Sequence, residues 1–342
     1  MSESTKIGII GLGHSGEFHI NGLKQAGLPM KLVSACDVNP ERRLALPEGV
    51  LFFEDCRSLL SDDSLDTVVV AVPYGEHYSV ASQALEAGKN VILEKPATET
   101  ESELEELVQN ARDSKRILFL GLHAAYGLEI EEARKHISSP FAFQSNFYDP
   151  YINEEGEITP EGISLRGSWT DSGINALSVL LSLLPAEKWN VLDTMFSNLP
   201  QYDVDEIRGT VTLGFDKIER GSYTPLSKRG FAVIDTDWTR GENHKSTRVF
   251  GSEGEWVIDH SGQRVLVKSS RENYFPLFTA PGNRMTNHYA GLLRDFHKAY
   301  LLNSSERGLV YPRTALEAYR LFFKAKSQRD LLMVSGVRVL KD

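Results

Sequence analysis

Three groups of residues in this chain have types and spacings that could do chemistry. The first is Gly11-x-Gly13-x-x-Gly16, set between an apolar run, residues 6–10, and a helical stretch from Glu17 to about Gln25. Glycine lets a backbone turn this sharply and approach a pyrophosphate, which then rests on the helix N-terminus. Leu12, His14 and Ser15 complete the turn and are read as part of the same dinucleotide site. Asp37 follows a second strand, Leu32–Cys36, 21 residues after Gly16. A carboxylate there accepts hydrogen bonds from the adenosine ribose hydroxyls and repels a 2′-phosphate, which favours NAD. Arg42 and Arg43, just downstream, keep NADP open. The plain alternative is that the glycines serve only the turn and Asp37 only caps it.

The second group is Val91-Ile92-Leu93-Glu94-Lys95-Pro96. A buried strand ends here in a carboxylate, an amine and a proline, and strand C-termini are where open α/β sheets put their ligands. Lysine is a poor core residue, so Lys95 in such a place is either wasted or used. Val72-Pro73-x-x-x-His77 ends a neighbouring strand, and Val72, Pro73 and His77 are placed at the same cofactor edge. His77 is read first as an anchor of the following helix. The third group, Asp171-Ser172-Gly173-Ile174-Asn175, opens a helix. Asp171 is an apt N-cap, and the i, i+4 spacing brings Asp171 and Asn175 together at one helix end.

The elements that must position these groups fall into two patterns. Up to residue 121, apolar strands alternate with helices: strands at 6–10, 32–36, 67–72, 90–93 and 117–121, with an acidic amphipathic helix over 99–115. That alternation predicts an α/β, doubly wound parallel sheet of Rossmann type over 1–121. From 122 to 342 the pattern predicts an α+β domain with a mainly antiparallel open sheet. Its helices fall at 129–137 and 172–184, a polar loop covers 149–168, and strand-like runs follow up to 268. Two closing helices, about 286–301 and 313–328, can pack back on the first domain.

Composition bounds the partners. The chain has 342 residues, 41% apolar and 25% charged, with a formal net charge of -10. This acidity, with no run of Lys and Arg, argues against nucleic acid as a partner. No stretch approaches the ~20 apolar residues of a membrane span. The start shows no signal-peptide pattern, and two cysteines, Cys36 and Cys56, suit a reducing cytoplasm rather than a disulfide framework. No spacing of metal ligands is present, so no metal is expected.

Taken together, the glycine turn, Pro73 with His77, the block Ala87-Gly88-Lys89-Asn90-Val91-Ile92-Leu93-Glu94-Lys95-Pro96 and Asp171-x-Gly173 resemble the glucose–fructose oxidoreductase / inositol dehydrogenase family. The resemblance covers essentially the whole chain. The run from Asp171 to Ser178 is similar in motif to bacterial aldose 1-dehydrogenases acting on galactose or arabinose, and Asp237-Trp238 with Gly254-Glu-Trp-Val257 resembles their substrate-domain sheet. The resemblance implies that Lys95 and Asp171 flank the nicotinamide and the reacting carbon, with Glu94 beside the cofactor. Asn175 stands where many relatives carry a histidine; it cannot transfer a proton but can donate to and accept from a sugar hydroxyl. The aldose group has an acidic residue near position 148, for which Asp149 is the candidate here. His123, Tyr148, Asp149, Trp169 and Asn175 are the expected substrate-binding residues, with Tyr126, Tyr151, Arg166 and His288 as further pocket candidates.

The expected activity is hydride transfer between NAD and a C–OH of a sugar or polyol. A free lysine has a pKa of ~10.4, too high for a neutral base. Burial would lower it and a nearby carboxylate would raise it, so Lys95 and Asp171 are read as one coupled acid–base unit. Two other readings share the fold: reduction of a keto-sugar or imine, and sensing of a sugar or dinucleotide without turnover. The open antiparallel sheet, a face on which relatives pair, implies a homodimer or homotetramer.

Overall fold

The computed structural model describes residues 4–184, 188–199, 201–217, 228–269, 273–301 and 310–339. Continuous apolar runs bounded by glycine, proline and aspartate build the first sheet. In chain order they give β1 (Thr5–Ile10), α1 (His14–Ala26), β2 (Met30–Cys36), β3 (Leu51–Phe53), α2 (Cys56–Leu60), β4 (Thr67–Val70), α3 (His77–Glu86), β5 (Asn90–Glu94), α4 (Glu101–Ser114) and β6 (Leu118–Gly121). α4 begins with a capping box, Thr100 and Glu103 exchanging side-chain and backbone hydrogen bonds, and buries Leu104, Leu107, Val108 and Ala111. Gly88, in the left-handed region at φ 71°, lets the chain leave α3.

Antiparallel strands and a few helices make the second sheet. Here lie α5 (Leu128–His136), β7 (Pro140–Tyr148), α6 (Pro160–Leu165), α7 (Ile174–Leu183), β8 (Lys188–Ser197), β9 (Arg208–Lys217), β10 (Lys228–Asp237), β11 (His244–Gly251), β12 (Gly254–Asp259), β13 (Arg264–Ser269) and β14 (Asn273–Thr279). Their order is β14-β13-β12-β11-β7-β10-β9-β8, antiparallel throughout except the β7–β10 pair.

The last elements are α8 (Arg284–Leu301), β15 (Val310–Tyr311) and α9 (Ala315–Val339). α8 packs on α1 so closely that a Cβ at Gly22 would stand 2.8 Å from Tyr289 Cβ. β15 pairs in parallel with β6, giving the seven-stranded order β15-β6-β5-β4-β1-β2-β3, all parallel. The chain therefore divides into one unit of Met1–Tyr126 with Gly282–Leu316, and a second of Gly127–Pro281 with Glu317–Asp342. The boundary lies five residues beyond the expected one because the turn after β6 packs on α8: Tyr126 Oη donates to Asp295 at 2.9 Å. Among the described residues no helix is long and apolar enough to cross a membrane.

Strand order reverses at β1, whose neighbours are β4 and β2. The crevice outside such a reversal is where doubly wound sheets bind ligands. The register aligns Ile10 with Cys36 and Val70, Val70 with Leu93, and Glu94 with Gly121. That alignment carries the glycine turn, Asp37, Val72 and Lys95 to one edge of one sheet.

Candidate active site

The three glycines of the turn do three different things. Gly11 has φ 94°, and a Cβ there would stand 2.5 Å from the Ala71 carbonyl carbon. A Cβ at Gly16 would overlap the Gly11 carbonyl oxygen, so the helix can start this close to the strand only with glycine. A Cβ at Gly13 would meet nothing within 4 Å. The fold does not need that glycine, whereas a phosphate approaching the backbone would. Gly13 is also the N-cap of α1, and no side chain caps it. Asp37 holds the turn in place: Oδ2 accepts from Leu12 N–H at 2.7 Å and Oδ1 from Asn39 N–H at 2.9 Å. Each carboxylate oxygen keeps a second lone pair for a ribose hydroxyl. The arrangement fits a dinucleotide.

Beside the turn, His77 ties the ends of β4 and β5 together. Its Nδ1 lies 2.7 Å from Pro96 O and its Nε2 2.9 Å from Val72 O. Burial pulls the imidazole below its ordinary pKa, against two carbonyl acceptors that favour the cation. Tyr74 Oη donates to Thr98 O at 2.8 Å, a second tie between the same loops. His77 thus ties together the backbone that follows β4 and β5, on either side of Lys95. Lys95 itself is half-buried.

Glu94 is turned inward. Its Oε1 lies 2.8 Å from His19 Nε2, its Oε2 accepts from Lys95 N–H at 3.2 Å, and the Tyr289 hydroxyl hydrogen-bonds the same carboxylate. Successive residues of a strand point to opposite faces, so Glu94 and Lys95 separate. Glu94 thus joins β5 to α1 and α8 through its carboxylate. Ser15 also turns to Tyr289, whose phenol burial pushes well above its usual pKa. His123 stacks on Tyr289 at 5.3 Å between ring centroids, and its Nδ1 is 3.4 Å from His288 Nδ1. Both histidines are buried in this first unit.

In the second unit, Trp169–Gly173 forms a π-turn that leads into α7. Such one-turn expansions re-aim side chains and recur at functional sites. Gly173 is required because a Cβ would stand 2.9 Å from Trp169 Cε2. Trp169 is buried, stacked on Phe322 at 6.2 Å with its backbone N–H on Glu206 Oε1. Asp171 N–H donates to Gly167 O at 3.0 Å. Asn175 Nδ2 donates to Asp171 O at 3.4 Å, while its buried Oδ1 has no hydrogen-bond partner among the described residues. The i, i+4 expectation holds for this pair.

Asp149 is committed elsewhere than expected. Lys245 Nζ lies 2.5 Å from its Oδ1 and also donates to Asn243 Oδ1 at 2.9 Å. Ser172 Oγ donates to Asp149 Oδ2 at 2.7 Å and stands 3.3 Å from Asp171 Oδ2. Burial and the Asp171 and Asp149 carboxylates raise the Tyr151 phenol, so Tyr151 belongs to this cluster. Tyr148 does not: its hydroxyl donates to Asp235 at 3.1 Å, and Arg240 sits over its ring. Alternation along β7 puts Tyr148 on the sheet face opposite Asp149. Arg166 is exposed and closes α6 at φ 64°. Lys245 and Ser172 are the functional candidates that sequence reasoning missed. The available signal was a lysine at an inward position of β11, in register with buried Thr247 and Val249.

Residues 5–122 match the family described as "Oxidoreductase family, NAD-binding Rossmann fold". The uncharacterized oxidoreductase YdgJ of Escherichia coli (strain K12) is 31% identical over 120 residues, 34% of this chain and 34% of that protein. The chain thus aligns with about a third of that relative's length. The scyllo-inositol 2-dehydrogenase (NAD(+)) of Bacillus subtilis (strain 168) is 24% identical over 315 residues, 88% of this chain and 84% of that one. Among solved structures, an inositol dehydrogenase homolog from Azotobacter vinelandii, complexed with NADH and myo-inositol, superposes with a TM-score of 0.78 at 16% identity, covering 96% of each chain. That likeness supports the fold. The match to the oxidoreductase family with the NAD-binding Rossmann fold thus covers residues 5–122, the strands and helices that carry the glycine turn, Asp37 and Lys95.

Proposed function

We propose that this chain is an NAD-dependent dehydrogenase acting on a CH–OH group of a sugar or polyol. The observation that carries the reading is the shared sheet edge: the glycine turn at the end of β1 and Lys95 at the end of β5 open on the same side of one parallel sheet. The backbone at Gly11–Gly16 would hold the pyrophosphate and Asp37 the adenosine ribose. Bound there, the nicotinamide supplies the hydride acceptor. Lys95 hydrogen-bonds the substrate hydroxyl, and the sequence resemblance assigns removal of the hydroxyl proton to Lys95 and Asp171. Asp171 enters this proposal on the sequence resemblance, and Asn175 Oδ1 is the acceptor offered to a neighbouring hydroxyl. The substrate class follows the inositol dehydrogenases to which the chain is similar; aldose C1 is one position it includes.

The proposal extends to assembly and location. Leu192, Met195, Phe231 and Phe275 are exposed apolar residues of the second unit's strands, suited to association of copies as a dimer or tetramer. Two free thiols suit a reducing cytoplasm. The test is direct: NAD or NADP with a panel of inositols and aldoses, following reduced nicotinamide by absorbance. Lys95→Ala is expected to abolish turnover and leave NADH binding largely intact. Turnover surviving in that variant removes Lys95 from the mechanism. Tight NADH binding with no turnover on any alcohol or carbonyl selects the sensing role instead.

A further inference from the structure

We propose that Tyr289 is a positioning residue for Lys95: it holds the Glu94 carboxylate, which holds the Lys95 backbone, and it ties both to the phosphate-binding end of α1. The inference deepens the dehydrogenase reading and rests on it for the use of Lys95. Every residue of the tie lies in the first unit.

α1 offers one face to Tyr289. Ser15, His19 and Gly22 stand at i, i+4 and i+7, positions that stack along one side of a helix. Gly22 lets α8 come close, since a Cβ there would stand 2.8 Å from Tyr289 Cβ. About one turn further on, Gln25 Nε2 donates to Asn287 Oδ1 at 2.6 Å and sets the register of the two helices. The Tyr289 ring is held between neighbours: His19 meets it edge-on at 4.7 Å between centroids, and His123 stacks on it at 5.3 Å. A buried phenol clamped in this way directs its hydroxyl to one place. That hydroxyl hydrogen-bonds Ser15, in the first turn of α1, and the Glu94 carboxylate at the end of β5.

Glu94 converts this contact into backbone geometry. Its Oε1 lies 2.8 Å from His19 Nε2, and its Oε2 accepts from Lys95 N–H at 3.2 Å. A carboxylate is planar, so fixing it from His19 and Tyr289 also fixes the direction from which it takes the Lys95 N–H. Lys95 is where the chain leaves β5. Its ammonium rides on a flexible four-carbon stem, and the Glu94 bond fixes where that stem begins. Reaction rates are sensitive to such placement: a shift of about 1 Å caused away from the chemistry can cost roughly a hundredfold. His19, Glu94 and Tyr289 are all buried, so losing the phenol leaves an acceptor unmet inside the protein rather than rehydrated at its surface.

The test is Tyr289→Phe, which removes one oxygen and keeps the ring. Hydrogen–deuterium exchange is followed by NMR at two amides: Lys95 N–H, on Glu94 Oε2, and Val91 N–H, on Ile117 O at 2.8 Å in the same strand. The Lys95 amide is expected to exchange about tenfold faster in Tyr289→Phe with Val91 unchanged, whereas a role in stability alone speeds both. Glu94→Gln, which exchanges an acceptor oxygen for a donor at the same shape, must speed the same amide. The two substitutions together must add little to either alone, because they break one link. In the assay, kcat should fall about tenfold in Tyr289→Phe while KM for the substrate moves less than about threefold. If Tyr289→Phe does not fold, Glu94→Gln carries the test, and an unmoved Lys95 amide there breaks the link. A Lys95 amide that keeps its wild-type exchange relative to Val91 overturns the proposal and leaves Tyr289 a packing residue; an unchanged kcat beside a moved amide overturns it equally. A wild-type protein that turns over no alcohol or carbonyl would instead remove the dehydrogenase reading, while the exchange rates still decide the tie.

Discussion

Replacing each glycine of the turn by alanine separates what the fold requires from what a cofactor requires. At Gly11 the added methyl must accept φ 94° and a position 2.5 Å from the Ala71 carbonyl carbon. The left-handed conformation costs an L-residue roughly 1–2 kcal/mol, and forcing extra volume into a packed site adds about 1–3 kcal/mol. Gly11→Ala should therefore lose about 2–5 kcal/mol of stability without any ligand present. Gly16→Ala, overlapping the Gly11 carbonyl oxygen, should lose about 1–3 kcal/mol. Gly13→Ala is different. Its φ is -70° and nothing lies within 4 Å of the new methyl. A slightly poorer N-cap, about 0.5–1 kcal/mol, is offset by a similar gain from a less flexible unfolded chain. The ligand-free melt should be unchanged, while NADH affinity falls at least about tenfold, or ~1.4 kcal/mol, because the methyl occupies the path of the pyrophosphate. Thermal melts without ligand and fluorescence titration with NADH measure the two effects separately. A Gly13→Ala protein that melts like Gly11→Ala, or one that folds normally and binds NADH as the wild type does, would refute the assignment.

Two further outcomes follow from single packing contacts. Gly173→Ala puts a methyl 2.9 Å from Trp169 Cε2 inside the π-turn and should lower the denaturant midpoint by the equivalent of about 1–3 kcal/mol; an unchanged midpoint would show that the turn tolerates a side chain. Burial, reinforced by Cys56, Asp55 and Asp37, pushes the Cys36 thiol from 9.0 up to about 12. The folded chain therefore holds this proton while the unfolded chain releases it, so its contribution is full below pH 9 and is lost between pH 9 and about 12. Cys36→Ala should flatten the fall of the melting temperature over that alkaline window, and native Cys36 should resist alkylation near neutral pH while the half-buried Cys56 reacts.

Much of the first unit was legible because its signals are local. β1, β4 and β5 are short apolar runs, and glycine, aspartate, proline and lysine stand directly at their ends. What escaped was non-local or short. β3 is three residues long and α2 five, too brief for a periodic signal. The apolar stripe of α8 says that the helix covers something, not that it lies on α1, and two residues of β15 carry no pattern. The site divides in the same way. Lys95 and Asp37 were found from their own strands. Lys245 is linked to Asp149 across 96 residues of chain, and Glu94 to His19 across 75, so no window of sequence contains either pair. Trp169, two residues before Asp171, lies in the π-turn and packs on Phe322, a placement that no local pattern announces.

The placement of Asp149 settles how a one-residue shift changes the chemistry of the second unit. Along β7, residues 144, 146 and 148 face one side of the sheet and 145 and 147 the other, with Asp149 next in line beyond the strand end, its N–H on Asp237 O. Tyr148 accordingly pairs with Asp235, while Asp149 meets Lys245 and Ser172. An acid displaced to the other face would leave Lys245 buried without its carboxylate, a cost of several kcal/mol for a lone buried charge. Asp149 and Lys245 form a buried ion pair, and Asn175 Oδ1 is a buried acceptor with no donor among the described residues. Leaving such an acceptor unmet costs about 1–3 kcal/mol, which a hydroxyl donor would recover and an ether or keto oxygen would not.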